Sequence, residues 1–258
     1  YLFGPAFAHI LGYTGIGDIG RAIEGKDGLE AFYNTVLRGT DGYERVMRDV
    51  HGNVLEKRVS AEPVSGDILY TTIDAPLQQY FYDRMREGLA ALGRDAGVGI
   101  ILNPKTGEVL SLVNLPSYDD NLFTLSGKNP EKRRLLISAT HPLFNRAISG
   151  VYSPGSTIKP MMGIAALHEG VADPTTSIYS SGVLELPNPY NPDKPSRFLD
   201  WKAHGWVNLY SALARSSNVY FYIIGGGFED KKGLGAARIE SYWRNFGFAD
   251  KTGIDLPG

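Results

Sequence analysis

The amino-acid sequence predicts an α+β protein on three observations. β-rich runs joined by turn residues fill much of the first half, one long amphipathic helical stripe lies among them, and helical patterns dominate from Ser153 onward. Taken in order, residues 1 to 67 are rich in glycine and hold one helical pattern, Gly28 to Leu37, with Leu29, Phe32, Tyr33 and Val36 at helical spacing. Tyr43 to Val59 alternates around His51-Gly52-Asn53 and reads as a β-hairpin. A short Pro/Gly/Ser stretch from Pro63 to Asp67 then places a domain boundary between residues 66 and 67. Ile68 to Ile73 reads as a strand. Asp74 caps a helix with Pro76 in its first turn and a core stripe of Leu77, Phe81, Met85, Leu89 and Leu92. Gly97 to Leu102 and Glu108 to Asn114, joined by Asn103 to Gly107, form a second hairpin at the start of an antiparallel sheet. A proline-rich loop, Pro187 to Pro195, interrupts the later helices.

Composition narrows the function. With 43% apolar and 21% charged residues in 258, the chain buries a substantial core. Lys and Arg number 26 against 28 Asp and Glu without a long run of either sign, which argues against a nucleic-acid partner. The absence of cysteine removes disulfides, thiolate metal sites and a cysteine nucleophile together. The five histidines show no paired ligand spacing, and without cysteine neither metal nor cofactor is expected. No apolar run approaches the roughly 18 residues needed to cross a bilayer, so the chain as given reads as soluble. Its opening Tyr1-Leu2-Phe3-Gly4 and closing Leu256-Pro257-Gly258 read as cut ends. Gly15-Ile16-Gly17-Asp18-Ile19-Gly20 matches a dinucleotide-binding string, but the glycines that follow do not suit the helix such a string must open, and the reading is a loop.

The residues that carry chemistry begin at Ser156. Tyr152-Ser153-Pro154-Gly155 is a turn, and Ser156-Thr157-Ile158-Lys159 opens a helix, which sets hydroxyl and amine on one face within reach of each other. Free N–H groups at a helix start suit a developing oxyanion. Alone, such a string reads as a capped helix with a solvated lysine. A second element, Ser216-Ser217-Asn218, lies further on in an apolar helical context. There Ser216 can serve Lys159 as a proton relay, and the Asn218 amide can bond a substrate carbonyl.

Phe144-Asn145-Arg146-Ala147 and Gly150 to Pro160 resemble the active-serine segment of class B penicillin-binding proteins. Asp200-Trp201-Lys202, His204-Gly205, Ser216 to Tyr222 and Thr252 to Gly258 are similar to later segments of that family. Thr71 to Asp74, Pro104 to Leu110, Pro116 to Asp119 and Gly25 to Glu30 are similar to earlier ones. The resemblance runs in order over nearly the whole chain. It implies an incomplete penicillin-binding transpeptidase fold over residues 67–258, an antiparallel sheet with helices on its faces, preceded by part of an N-terminal pedestal, dimerisation-like domain over residues 1–66. It implies an elongation-type D,D-transpeptidase, with Ser156 as nucleophile, Lys159 as base, and Ser216 and Asn218 beside them. The implied substrates are D-Ala-D-Ala stem peptides of peptidoglycan, and β-lactams would trap the serine. Some relatives bind zinc between the two motifs, and by resemblance Asp173, Asp200 and His204 are remnants of such a site or, as the missing cysteine favours, surface and packing residues. The implied partner is a membrane glycosyltransferase of the shape and elongation class, and the implied location is the outer face of the cytoplasmic membrane, reached through an N-terminal anchor helix. The family's third motif, Lys-Thr-Gly, is matched in letters by Lys105-Thr106-Gly107 and Lys251-Thr252-Gly253; neither is accepted, the first for its hairpin position and the second for its closeness to Asn218. Competing readings are a β-lactam sensor, a serine β-lactamase or carboxypeptidase-like relative, and a non-catalytic scaffold. Against a hydrolase, Glu229 and Glu240 are not convincingly framed to place a water; against a scaffold, the four site residues are intact.

Overall fold

The computed structural model describes residues 1–17, 23–124 and 129–257. By packing, the chain divides into Tyr1–Val151 with Asp255–Gly258, and Tyr152–Ile254. The boundary expected at 66/67 falls inside the first unit.

In the first unit a 3-10 turn (Gly4–Ala6) and α1 (Ala8–Leu11) are followed by a short ribbon of β1 (Thr14–Ile16) and β2 (Ile23–Gly25). Gly15 of the glycine-rich string thus pairs in a ribbon; residues 18–20 of that string lie outside the described residues. The single helix expected from Gly28 to Leu37 is two, α2 (Gly28–Phe32) and α3 (Asn34–Leu37), broken at Tyr33, whose φ of -102° and ψ of 22° leave the helical region. β3 (Tyr43–Arg48) and β4 (Val54–Ala61) form the expected hairpin, exposed along nearly its whole length.

Asp74 caps α4 (Ala75–Ala91), its carboxylate accepting from Leu77 N at 2.9 Å, with Pro76 in the first turn where a missing N–H costs nothing. α4 packs on both strands of a hairpin, β5 (Gly97–Leu102) and β6 (Val109–Leu115), which pair in antiparallel register. Gly99 permits this approach, since a Cβ there would meet the Phe81 ring at 2.3 Å. The expected stripe is only partly core. Phe81, Met85 and Leu89 pack inward, but Leu92 is exposed, and the buried residues of the helix are Gln78 and Tyr82. The expected strand Ile68–Ile73 does not form. The stretch from there to Asp74 reaches β6 through Thr72 Oγ1 to Val109 O and Asp74 N to Leu110 O, too few bonds for a ladder, and Ile68 and Tyr70 face solvent. Helices α5 (Asn121–Thr124), α6 (Pro130–Leu136) and α7 (Arg146–Ser149) complete the unit.

The second unit opens with a 3-10 turn (Gly155–Ile158) leading into α8 (Lys159–His168). Ribbons of β7 (Ile178–Ser180) with β10 (Gly205–Val207), and of β8 (Val183–Leu186) with β9 (Ser196–Leu199), pack with α9 (Leu209–Ala214), α10 (Asn218–Gly226) and α11 (Ala236–Asn245). The proline-rich segment 187–195 is the loop between β8 and β9. One core unites these elements, with Ala166, Val207, Ala212, Val219 and Tyr220 at 1–2% exposure or less. At roughly 1.5–3 kcal/mol for each large apolar side chain, this burial makes α8 and α10 a fixed frame.

Candidate active site

Two helix starts build the site. The first was expected to begin at Ser156. Instead Pro160, which has no N–H to give, confines the α-helical start to Lys159, and Ser156 sits in the preceding 3-10 turn behind Gly155, whose φ is +57°. Thr157 N is taken by Pro154 O, and Lys159 N by Ser156 O. The second start is a turn at the end of α9. Ser216 N donates to Leu213 O and Ser217 N to Ala212 O, and Ser217 caps α10 through its side chain on Tyr220 N. Within this turn Ser216 adopts a left-handed φ of 53°, a conformation that costs a non-glycine residue of order 1 kcal/mol or more and persists only where its neighbours enforce it.

Lys159 is 8% exposed and reaches from the first helix start to the second. Its Nζ donates to Ser216 O at 2.7 Å, Ser216 Oγ at 3.1 Å and Asn218 Oδ1 at 2.7 Å, and lies 5.6 Å from the centre of the Phe221 ring. Desolvation pushes its pKa below the ordinary lysine value, and the negative charge of Asp200 works in the other direction. Asn218 also donates from Nδ2 to Leu199 O at 3.2 Å, so its amide is held at both ends.

Of the four residues singled out in the sequence, the structure bonds Lys159 to both Ser216 and Asn218. Ser156 is not among the acceptors of Lys159, all three of which belong to the second motif. Ser156 is exposed and joins Lys159 and Asn218 in the wall of a cavity of ≈ 940 Å³, whose apolar sides include Phe198, Phe221 and Trp243. One cavity wall thus carries a hydroxyl, an amine, an amide and apolar surface.

Neither Lys-Thr-Gly string lines this cavity. Lys105-Thr106-Gly107 occupies the β5–β6 turn, and Lys251-Thr252-Gly253 is exposed and outside any strand. Glu229 and Glu240 are exposed and do not line it. Asp200 and His204 stand together, Oδ1 to Nε2 at 3.5 Å, and among the described residues no cluster of three metal-ligating side chains includes them. Asp200 is what the motif reading missed. Burial pushes its carboxyl up, but bonds from the backbone of Asn218 and Val219 and from the Ser217 hydroxyl outweigh this and hold it at about 2. The signal was an acidic residue just after a β run and before an apolar helix pair, which sequence alone does not separate from a surface turn.

Residues 97–258 match the penicillin binding protein transpeptidase domain and residues 1–71 the penicillin-binding protein dimerisation domain. The peptidoglycan D,D-transpeptidase MrdA of Acinetobacter baumannii is 36% identical, over 100% of this chain and 38% of its own length; that of Haemophilus influenzae is 35% identical, over 99% and 39%. The chain therefore spans about two fifths of these relatives. Among solved structures, PBP2 of Pseudomonas aeruginosa in complex with WCK 5153 superposes with a TM-score of 0.73 at 32% identity, covering 96% of this chain and 50% of that one. PBP2 of Helicobacter pylori in complex with MreC gives 0.79 at 28%, covering 100% and 47%. With a serine, a buried lysine and a Ser-x-Asn turn arranged on that fold, the chain belongs to the penicillin-binding protein transpeptidase family.

Proposed function

We propose that this chain carries the nucleophile-bearing part of an elongation-type peptidoglycan D,D-transpeptidase. The observation that carries the reading is Lys159, desolvated and hydrogen-bonded to Ser216 and Asn218 in the cavity that Ser156 also lines. Ser156 Oγ attacks the carbonyl carbon between the two D-Ala residues of a stem peptide, and its proton passes to neutral Lys159 Nζ. The tetrahedral intermediate collapses with cleavage of the C–N bond, and the departing D-Ala nitrogen receives a proton by way of Lys159 and Ser216. An amine of a second stem peptide then attacks the ester and regenerates the Ser156 hydroxyl. The Asn218 amide orients the acyl donor. β-Lactams enter by the same attack, the ring amide taking the place of the scissile bond.

In this reading residues 1–66 are part of a pedestal domain and residues 67–258 the first portion of the transpeptidase domain. The protein acts at the outer face of the cytoplasmic membrane on an N-terminal anchor, beside a membrane glycosyltransferase of the elongation class. No helix among the described residues is long and apolar enough to cross a membrane. The decisive experiment is labelling of the full-length protein with a fluorescent penicillin, together with release of D-Ala from a stem peptide with and without an acceptor amine. Labelling lost in Ser156→Ala, and cross-linked product formed when the amine is present, are the expected results. Labelling that survives Ser156→Ala overturns the nucleophile, and D-Ala release with hydrolysis alone reassigns the enzyme as a carboxypeptidase.

A further inference from the structure

We propose that Asp200 is a positioning residue for acyl transfer, its carboxylate locking the Ser216-Ser217-Asn218 turn in the one conformation that presents three acceptors to Lys159. The inference rests on Lys159 being the base.

Asp200 follows β9 directly, and its backbone N donates to Gly182 O at 2.9 Å, which fixes the root of the side chain. The side chain is fully buried. Oδ2 accepts from Ser217 Oγ at 2.8 Å, Val219 N at 3.0 Å and Ser180 Oγ at 3.2 Å, while Oδ1 accepts from Trp201 N at 2.9 Å. Two of these bonds grip the residues on either side of Asn218. The preceding side of the turn is tied to α9 through Ser216 N and Ser217 N. Ser216 is thus clamped from both directions in its left-handed φ of 53°, and in that conformation its carbonyl and its hydroxyl meet the same amine. A relaxed Ser216 would direct one of the two elsewhere. The carboxylate also sits at the start of α10, where unpaired N–H groups favour negative charge, and it is the anion whose charge reaches Lys159. Among the described residues the other groups Lys159 meets are neutral: Ser216, Asn218 and the Phe221 ring. His204 Nε2, at 3.5 Å from Oδ1, is the other titratable group on Asp200.

The test is the rate of acylation by a fluorescent penicillin in the full-length protein, measured against pH for wild type, Asp200→Asn, Ser217→Ala and Ser156→Ala. Asp200→Asn keeps an acceptor for the helix start and removes the charge. We expect its maximal rate to fall about 10- to 100-fold, the scale on which small misplacements of reacting groups act. Its acidic limb should move to lower pH, because the anion that favoured the ammonium is gone. A defect of folding alone lowers the labelled fraction without moving that limb. Ser217→Ala keeps the carboxylate and removes one clamp, so its rate should fall several-fold with the limb in place; it also decides the matter if Asp200→Asn does not fold. Rates within twofold of wild type with unmoved limbs overturn the assignment. Ser156→Ala separates the two readings: if it still labels, the nucleophile is wrong whatever Asp200 does, and if it is silent while the other variants behave as wild type, only the role of Asp200 fails.

Discussion

Gln78 is 0% exposed, and its amide makes four hydrogen bonds. Nε2 donates to Ala6 O at 2.6 Å and Leu112 O at 2.8 Å; Oε1 accepts from Leu112 N at 2.9 Å and Ser111 Oγ at 2.6 Å. One side chain therefore serves both backbone groups of Leu112, as a neighbouring strand would, and ties α4 to the start of the chain. Gln78→Met retains the length and apolar stem but leaves those partners behind. The Ser111 hydroxyl can rotate toward another acceptor, so the cost falls on Leu112 N, Leu112 O and Ala6 O. At about 1–2 kcal/mol for each buried orphan the sum is roughly 3–6 kcal/mol, a large share of the stability of an ordinary domain. Urea unfolding followed by far-UV circular dichroism should show a lower midpoint at unchanged slope. Hydrogen exchange at the Leu112 amide should accelerate by a matching factor. A loss below about 1 kcal/mol, or a protected Leu112 amide in the variant, would show that Gln78 does not hold these backbone groups.

His9, 5% exposed, is pushed down to about 4 chiefly by desolvation, against an ordinary value near 6.5. The unfolded chain binds its proton first, so stability should be level above about pH 6.5, fall as pH drops, and level off near pH 4, a loss of about 3 kcal/mol; His9→Gln should flatten that window in acid unfolding curves, and an unchanged pH profile would count against it. Acylation should rise with the neutral fraction of Lys159, with a midpoint below the free-lysine value of about 10.4; a rate flat from about pH 6 to 10 contradicts a lysine base. The Tyr220 hydroxyl is buried without a partner among the described residues, so Tyr220→Phe should leave stability unchanged or raise it by up to about 1 kcal/mol in thermal melts, and a loss above that would reveal a bond to this hydroxyl.

What the sequence made legible was local. The β5–β6 hairpin was readable because two β-rich runs flank a turn whose Asn103 and Gly107 are chemically marked, and α4 because Asp74 and Pro76 announce a start. The break at Tyr33 and the helix start held to Lys159 by Pro160 are local, but the other failures turn on partners distant in sequence. Ile68 to Ile73 has strand composition but makes no ladder. Leu92 continues a helical stripe past the point where the sheet supports it, whereas Gln78 looks like a surface residue until Leu112 and Ala6 arrive. At the site, letter patterns singled out Ser156, Lys159, Ser216 and Asn218. They missed Asp200, whose part is set by Ser217 and Val219, and they expected a Ser156–Lys159 bond where the ammonium is taken up by the second motif.

An ammonium carries three hydrogens, and Lys159 faces three acceptors at 2.7, 2.7 and 3.1 Å, a closed set with nothing left over for a ligand. A neutral amine brings two hydrogens and one lone pair. Loss of a single proton therefore leaves one acceptor unsatisfied and creates one new acceptor on nitrogen, so protonation state and ligand readiness are the same variable. If the vacated group is the Asn218 oxygen, the amide gains an open valence on the cavity side at the moment the lysine becomes able to accept the Ser156 hydrogen.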